Sequence, residues 1–299
     1  IIKRSEEANE KGIPIKLQVA GRAIGVLLGL ETTFHPFMGF PSYKKISHLS
    51  LEERVNIMKD PEFKSKILTE KNEPLAGDGS RIPPLADLLL AQLDMIGMRM
   101  FKLGEEPDYE PSMATSIGLK SKQKGESVLS GLYDAILEED GHAFIYFPLY
   151  NYGEGNLNNL HEMIKHPLSM PGLSDGGAHV GTICDASFPT FMISHWTRDR
   201  KGEKFELEEV IKRQTKDTAD FIGLTDRGTI EIGKKADINV IDYENLNLYP
   251  PKLIADLPAG GKRLIQNAKG YIATIVSGKV INDNGNLTGE KPGKLVRIK

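Results

Sequence analysis

The sequence predicts an α/β fold with a small β domain at its C-terminal end. Through about residue 226, short apolar strand text alternates with helical text across short connections, the rhythm of a parallel sheet covered by helices. Beyond residue 227 helical periodicity weakens, and alternating strand text with hairpin signals replaces it. At 299 residues the chain is long enough for one large domain plus a smaller one.

The elements follow in order. The chain opens on "IIKRSEEANEKGIPIKLQV", without an initiator Met. It reads as the back half of a helix closed by Gly12, then a strand "IPIKLQVAG". A chain that opens inside a helix carries the expectation of a fragment of a longer polypeptide. "LLGLETTFHPFMGFPSYKK" is rich in turn residues and aromatics and reads as a packed loop. Ser50 with Glu53 forms a capping box opening a helix, and Asp60-Pro61 an N-cap followed by Pro at the first helical position. "PLADLLLAQLDMIGM" predicts a helix and "MRMFKL" a strand. "GEEPDYEPS" is a loop, and helical text resumes through "GESVLSGLYDAILEEDG". "AFIYFPLYN", residues 143–151, predicts a buried strand. "NLNNLHEMIKHP" is a helix that Pro167 helps to end, and "SMPGL" is a short strand leading into Asp175. In the last part, Ser277-Gly278 and Asn284-Gly285 mark hairpins, and "DLPAGGKRLIQ" suggests a short helix.

Composition narrows the function classes. The net charge is −3, with 39% hydrophobic and 26% charged residues, as in an ordinary soluble protein. There is no basic excess to suit nucleic acid and no polybasic run to suit a membrane surface. The longest apolar stretches are too short or too interrupted to span a bilayer. A single cysteine excludes an intramolecular disulfide and a cysteine-based structural zinc site. The expected compartment is the cytoplasm.

Chemistry concentrates in "LSDGGAHVGTICDAS", residues 173–187. Asp175 follows a strand that the reading places in a parallel sheet, on the face where such folds do their chemistry. Gly176 and Gly177 remove side chains beside it. Its carboxylate could ligate a metal, or take a proton from water and pass it to a leaving group. Ser-Asp-Gly-Gly is equally good turn chemistry, and both readings stand. His179 could reach a substrate or orient Asp175, or be structural. Cys184, with no positive partner nearby in sequence, reads as a buried inert thiol. His195 and Trp196 read as packing residues of the following helix. Arg22, between Gly21 and Gly25, could grip a substrate carboxylate or brace a loop through an ion pair. Asn151 and Tyr152, ending "AFIYFPLYN", could face the same site. His35, His48, His142, His161 and His166 show no zinc spacing, and His161 and His166 do not share a helix face.

These residues resemble a known family. "DRGTIEIGKKADINVID", residues 226–242, resembles the C-terminal signature of amidohydrolase-superfamily enzymes, and "KRQTKDTADFIGL" resembles the helix before it. "GLSDGGAHVGTICDASFPTFMISHWTRDR", "LQVAGRAIGVLLGLETTFHPF" and "DLPAGGKRLIQNAKGYIATIVSGKVI" resemble the N-acyl-D-amino-acid deacylase (D-aminoacylase) branch. The resemblance implies the C-terminal portion of a (β/α)8 TIM barrel over residues 1–226, and part of a small β-sandwich domain over residues 227–299. It implies zinc, or a similar divalent metal, and hydrolysis of an N-acyl amino acid, with Asp175 as metal ligand and proton shuttle. Arg22, His179 and Asn151 are the candidate substrate-binding residues.

The departures matter as much. No two histidines stand two apart, so the family's His-x-His pair has no counterpart. Most metal ligands are therefore expected upstream of Ile1, on the N-terminal half of the same polypeptide, which becomes the expected partner beside a small-molecule substrate. No nucleic acid or membrane partner is expected. The barrel part should hold either three strands or two plus one inside an insertion. Such an opened barrel should be unstable or aggregate, and inactive alone. The competing readings are a non-catalytic barrel scaffold and a cyclic-amide hydrolase of the hydantoinase or dihydroorotase kind.

Overall fold

The computed structural model describes residues 1–75, 84–173 and 179–296, with positions 84 and 85 described by backbone alone. Five strands build its first part: β1 (Leu17–Ala20), β2 (Ile24–Leu28), β3 (Phe101–Lys102), β4 (Ile145–Tyr150) and β5 (Ser169–Gly172). β1 and β5 pair in parallel, from Leu17 opposite Ser169 to Ala20 opposite Gly172. Neither has a second strand neighbour among the described residues.

The strand expected at 143–151 forms as β4, but not in that parallel pair. It is the centre of an antiparallel sheet ordered β2-β4-β3. Ile145, Tyr146 and Phe147 are all buried, so both faces are covered, and a run apolar on both faces does not reveal strand direction. Gly25 permits the close pairing: a Cβ there would lie 2.8 Å from the Phe147 carbonyl. Against an expectation of three strands, or two plus one inside an insertion, the described residues of the first part hold two parallel strands and a separate antiparallel sheet of three. Among the described residues the parallel sheet has two strands and does not close into a barrel.

Helices cover these sheets. Helix 2–10 ends at Lys11, and Gly12 follows in the left-handed region at φ 78°. The Ser50–Glu53 capping box opens helix 51–58. Asp60 caps helix 61–67 by accepting from the Glu62 and Phe63 amides. The helix expected over "PLADLLLAQLDMIGM" breaks into 84–90 and 93–96. The strand expected at "MRMFKL" is reduced to the two residues of β3. Helix 128–136 buries Val128, Leu132, Ala135 and Ile136 at helical spacing, and its Tyr133 hydroxyl donates to the Met58 carbonyl at 2.7 Å. Phe37, Met58, Ile67, Leu132 and Ile145 share one core.

From Ile238 onward the regular elements are strands and one short turn of helix: β6 (Ile238–Ile241), β7 (Asn247–Leu248), β8 (Lys252–Leu257), β9 (Gly261–Ile265), β10 (Ala268–Lys269), β11 (Tyr271–Val276), β12 (Lys279–Asp283) and β13 (Asn286–Leu287). All pair antiparallel, and the largest sheet runs β13-β12-β11-β6. Both hairpin signals hold: Ser277-Gly278 and Asn284-Gly285 adopt positive φ at the two turns. The short helix suggested by "DLPAGGKRLIQ" shrinks to that single turn, Pro258–Gly260. Ala259 and Gly260 take left-handed backbone, and the segment folds into the β8–β9 hairpin, closed by Asp256 accepting from Arg263. A second core joins the two ends of the chain, holding Leu27, Tyr109 and Trp196 together with Leu246, Leu248 and Leu264.

Candidate active site at the ends of two parallel strands

β1 and β5 end side by side at Ala20 and Gly172, and their continuations carry Arg22 and, three residues beyond Gly172, Asp175. In α/β sheets the carboxyl ends of parallel strands are where ligands bind. Asp175, with its neighbours 174–178, lies outside the described residues.

Arg22 is 3% exposed. Its Nη2 donates to the Cys184 carbonyl at 2.6 Å and its Nη1 to Ser187 Oγ at 3.1 Å, while Asp185 lies 3.8 Å away. The guanidinium lies over the Tyr109 ring at 3.7 Å and near Phe188 at 4.6 Å. Of the two readings of this arginine, these contacts are those of a loop brace: it fastens 184–187 to the end of β1. Ser187 Oγ and the Tyr109 hydroxyl both donate to Gln266 Oε1, which brings the C-terminal part into the same network.

Cys184 is buried, and burial pushes its thiol up to about 11, with the Arg22 charge opposing. That is the inert thiol expected of it. His179 takes left-handed backbone at φ 54°, and its carbonyl accepts from the Thr182 and Ile183 amides. Its side chain is exposed. Asn151 leaves β4 at φ 62° and is half-buried. Among the described residues, no hydrogen bond joins Arg22, Asn151 and His179 to one another. Tyr152 is buried and donates to the Pro111 carbonyl at 2.5 Å, a packing role.

His195 and Trp196 pack, as expected. The helix from Phe188 widens into a π turn over His195–Asp199. Trp196 is fully buried and donates to the Gly21 carbonyl at 2.7 Å. His195 stacks on Phe191 and meets Glu110 at 2.8 Å. Burial pushes the Glu110 carboxyl up, but hydrogen bonds from His195, Arg200 and the Leu157 amide outweigh it and hold it at about 2. Glu110 and Tyr109 border a cavity of about 660 Å³ shared with Phe191, His195 and Asn247. Sequence reasoning passed over Tyr109, Glu110, Ser187 and Gln266. Each is an ordinary loop residue by type, and only tertiary contact gives it a role. Tyr146, also passed over, has a buried hydroxyl without a partner and stands edge-on to Tyr109, centroids 5.3 Å apart.

Among the described residues, the side chains that gather as a metal-binding group are His161, Glu162 and Glu203, on helix 158–165 and the turn after Arg200. The ends of β1 and β5 instead gather a guanidinium, phenols, a hydroxyl and a protonated thiol. The described residues there do not make the ligand set of the metal that the resemblance implies.

The chain has partial matches to one curated protein and to solved structures. A 5′-deoxyadenosine deaminase of Methanobrevibacter smithii is 40% identical over 73 residues, which are 23% of this chain and 16% of that protein. A crystal structure of D-aminoacylase is 21% identical at a TM-score of 0.37, covering 64% of this chain and 36% of that one. A second D-aminoacylase structure, described for the role of its binuclear metal centre, is 21% identical at a TM-score of 0.36, with the same coverage. The chain spans well under half the length of each. The model of the amidohydrolase family matches residues 141–282, from the strand before the candidate site through the signature at 226–242 and into the C-terminal sheet.

Proposed function

We propose that this chain is the C-terminal part of a metal-dependent hydrolase that cleaves the linear amide of an N-acyl amino acid, of the D series. Residues 1–226 are its share of a TIM barrel and residues 227–299 its share of a β-sandwich. The observation that carries the reading is that Asp175 follows, three residues on in the sequence, the end of a strand paired in parallel with β1, within the segment that matches the amidohydrolase family model.

The reaction adds water across the amide. The water oxygen bonds to the acyl carbon, the C–N bond breaks, and the proton released by the water goes to the amine nitrogen. Asp175 takes that proton and delivers it. A divalent metal, zinc in this reading, would lower the water's pKa when bound, and Asp175 would be one of the residues that hold it, with the others beyond the described residues. Arg22 acts by holding the 184–187 loop. His179, exposed on the turn after Asp175, contacts substrate, and Asn151 lines the approach.

The 73-residue match to a deaminase favours a second reading, hydrolysis of an exocyclic C–N bond on a nucleoside. Both readings are tested by assaying the longer polypeptide, expressed with the coding sequence upstream of Ile1, against N-acyl-D-amino acids, N-acyl-L-amino acids and 5′-deoxyadenosine. Free amino acid from the D series supports the first reading and ammonia from the nucleoside the second. No turnover of any of them supports a scaffold. The 299-residue chain alone is expected to be inactive.

A further inference from the structure

His161 is 4% exposed, yet one edge of its ring reaches the surface chemistry around it. The ring stacks on Phe205, with centroids 4.4 Å apart and planes 18° apart, and lies 5.9 Å from Trp196. That packing fixes the plane of the imidazole. Its Nδ1 then faces two carboxylates, Glu162 Oε1 at 3.4 Å and Glu203 Oε2 at 3.5 Å. Glu162 is the next residue on the same helix. Glu203 comes from a separate segment, where its backbone carbonyl accepts from Arg200 Nη1 at 2.6 Å. The three ligand atoms lie within 4.8 Å of one another.

These separations are too long for strong hydrogen bonds, so neither carboxylate closes on the ring. Without an ion the two carboxylates favour the ring proton on Nδ1; a cation at Nδ1 displaces it, leaving the proton on Nε2, which is buried without a partner. With the proton on Nε2, the bare lone pair of Nδ1 faces two anions. A divalent cation between them converts that repulsion into three bonds. One imidazole and two carboxylates are a ligand set for a first-row divalent ion, with open positions left for water.

We propose that His161 Nδ1, Glu162 and Glu203 bind a divalent transition-metal ion of the zinc class, at a site separate from the one proposed around Asp175. The ion ties helix 158–165 to the turn after Arg200, next to the Arg200–Glu110 pair.

Trp196 is the single tryptophan of the chain and reports on this site through its closeness to His161. The test titrates the soluble longer polypeptide that contains this chain with Ni²⁺, read as the tryptophan quenching that Trp196→Phe removes, with Zn²⁺ as competitor. Saturable quenching reversed by Zn²⁺ is expected. Glu162→Gln and Glu203→Gln should each raise the midpoint about tenfold or more. Both side chains are exposed, at 67% and 75%, so these variants keep the fold, whereas His161→Gln alters a packed ring. Asp175→Asn should leave the midpoint unchanged, which separates this site from the proposed catalytic metal. Absent or non-saturating quenching overturns the proposal, as does a midpoint unmoved by both glutamate variants or abolished by Asp175→Asn.

Discussion

Glu110 and Arg200 form a two-pronged ion pair, Oε2 to Nε at 3.0 Å and Oε1 to Nη2 at 3.1 Å. The guanidinium is nearly fully buried, and Asn158 and the Glu203 carbonyl take two of its remaining donors. The pair fixes the loop whose preceding residue, Tyr109, lies against Arg22. The buried arginine beyond β1 is therefore linked to the Glu110 carboxylate through the Tyr109 ring.

Removing one partner leaves the other charged, buried and unpaired. Glu110→Ala should lower stability by about 3–5 kcal/mol, measured by urea unfolding of the soluble form that contains this chain. Truncating both residues should cost less than the sum of the single changes. A loss under about 1 kcal/mol for Glu110→Ala would show that the pair does not hold the loop.

The bracing role of Arg22 has a chemical readout in Cys184. The thiol is buried and pushed up to about 11, so a thiol reagent at pH 8 should react slowly with the native protein. Arg22→Lys keeps the charge but loses the fork that reaches both the Cys184 carbonyl and Ser187. Labelling should then quicken by about tenfold or more as 184–187 loosens, an opening of about 1.4 kcal/mol. An unchanged rate would assign the loop's order to other contacts.

Acid should destabilise the fold in two windows. Burial, with the Arg54 charge adding to it, holds the His35 imidazole down at about 3. The unfolded chain binds a proton there below about 6.5 while the folded chain does not, so stability falls as pH drops from about 6.5 toward 3. Glu110, held at about 2, adds a loss that begins near pH 4.5 and continues toward 2. Between pH 6 and 5 the His35 contribution approaches a slope of about 1.4 kcal/mol per pH unit. His35→Asn, which keeps an acceptor for the Phe37 amide, should flatten the curve there by that amount. Parallel curves for variant and wild type would refute it.

Local signals in the sequence were reliable where their cause is local. The Ser50 and Asp60 caps, Gly12 at a helix end and the two glycine turns at 278 and 285 all form, because each depends on a few adjacent backbone groups. Strand direction was not legible. β4 is buried on both faces, and only its neighbours β2 and β3 make it antiparallel. The "DLPAGGKRLIQ" helix shrinks to a single turn because Ala259-Gly260 accepts left-handed backbone and Asp256 pairs with Arg263 across the hairpin. At the candidate site, Arg22 was visible as a residue but its partners were not. Tyr109, Ser187 and Gln266 come from three distant segments with no motif of their own. The His161 cluster was missed because histidine spacing was sought, while one carboxylate comes from a separate segment.

The central claim is that Asp175 carries the proton in amide hydrolysis, and one measurement bears on it most directly: kcat of the longer polypeptide on N-acyl-D-amino acids, for wild type and Asp175→Asn. The account predicts turnover in wild type and a loss of about 10²–10⁴-fold in the variant, with the circular-dichroism spectrum unchanged. Equal kcat in the two proteins would contradict it.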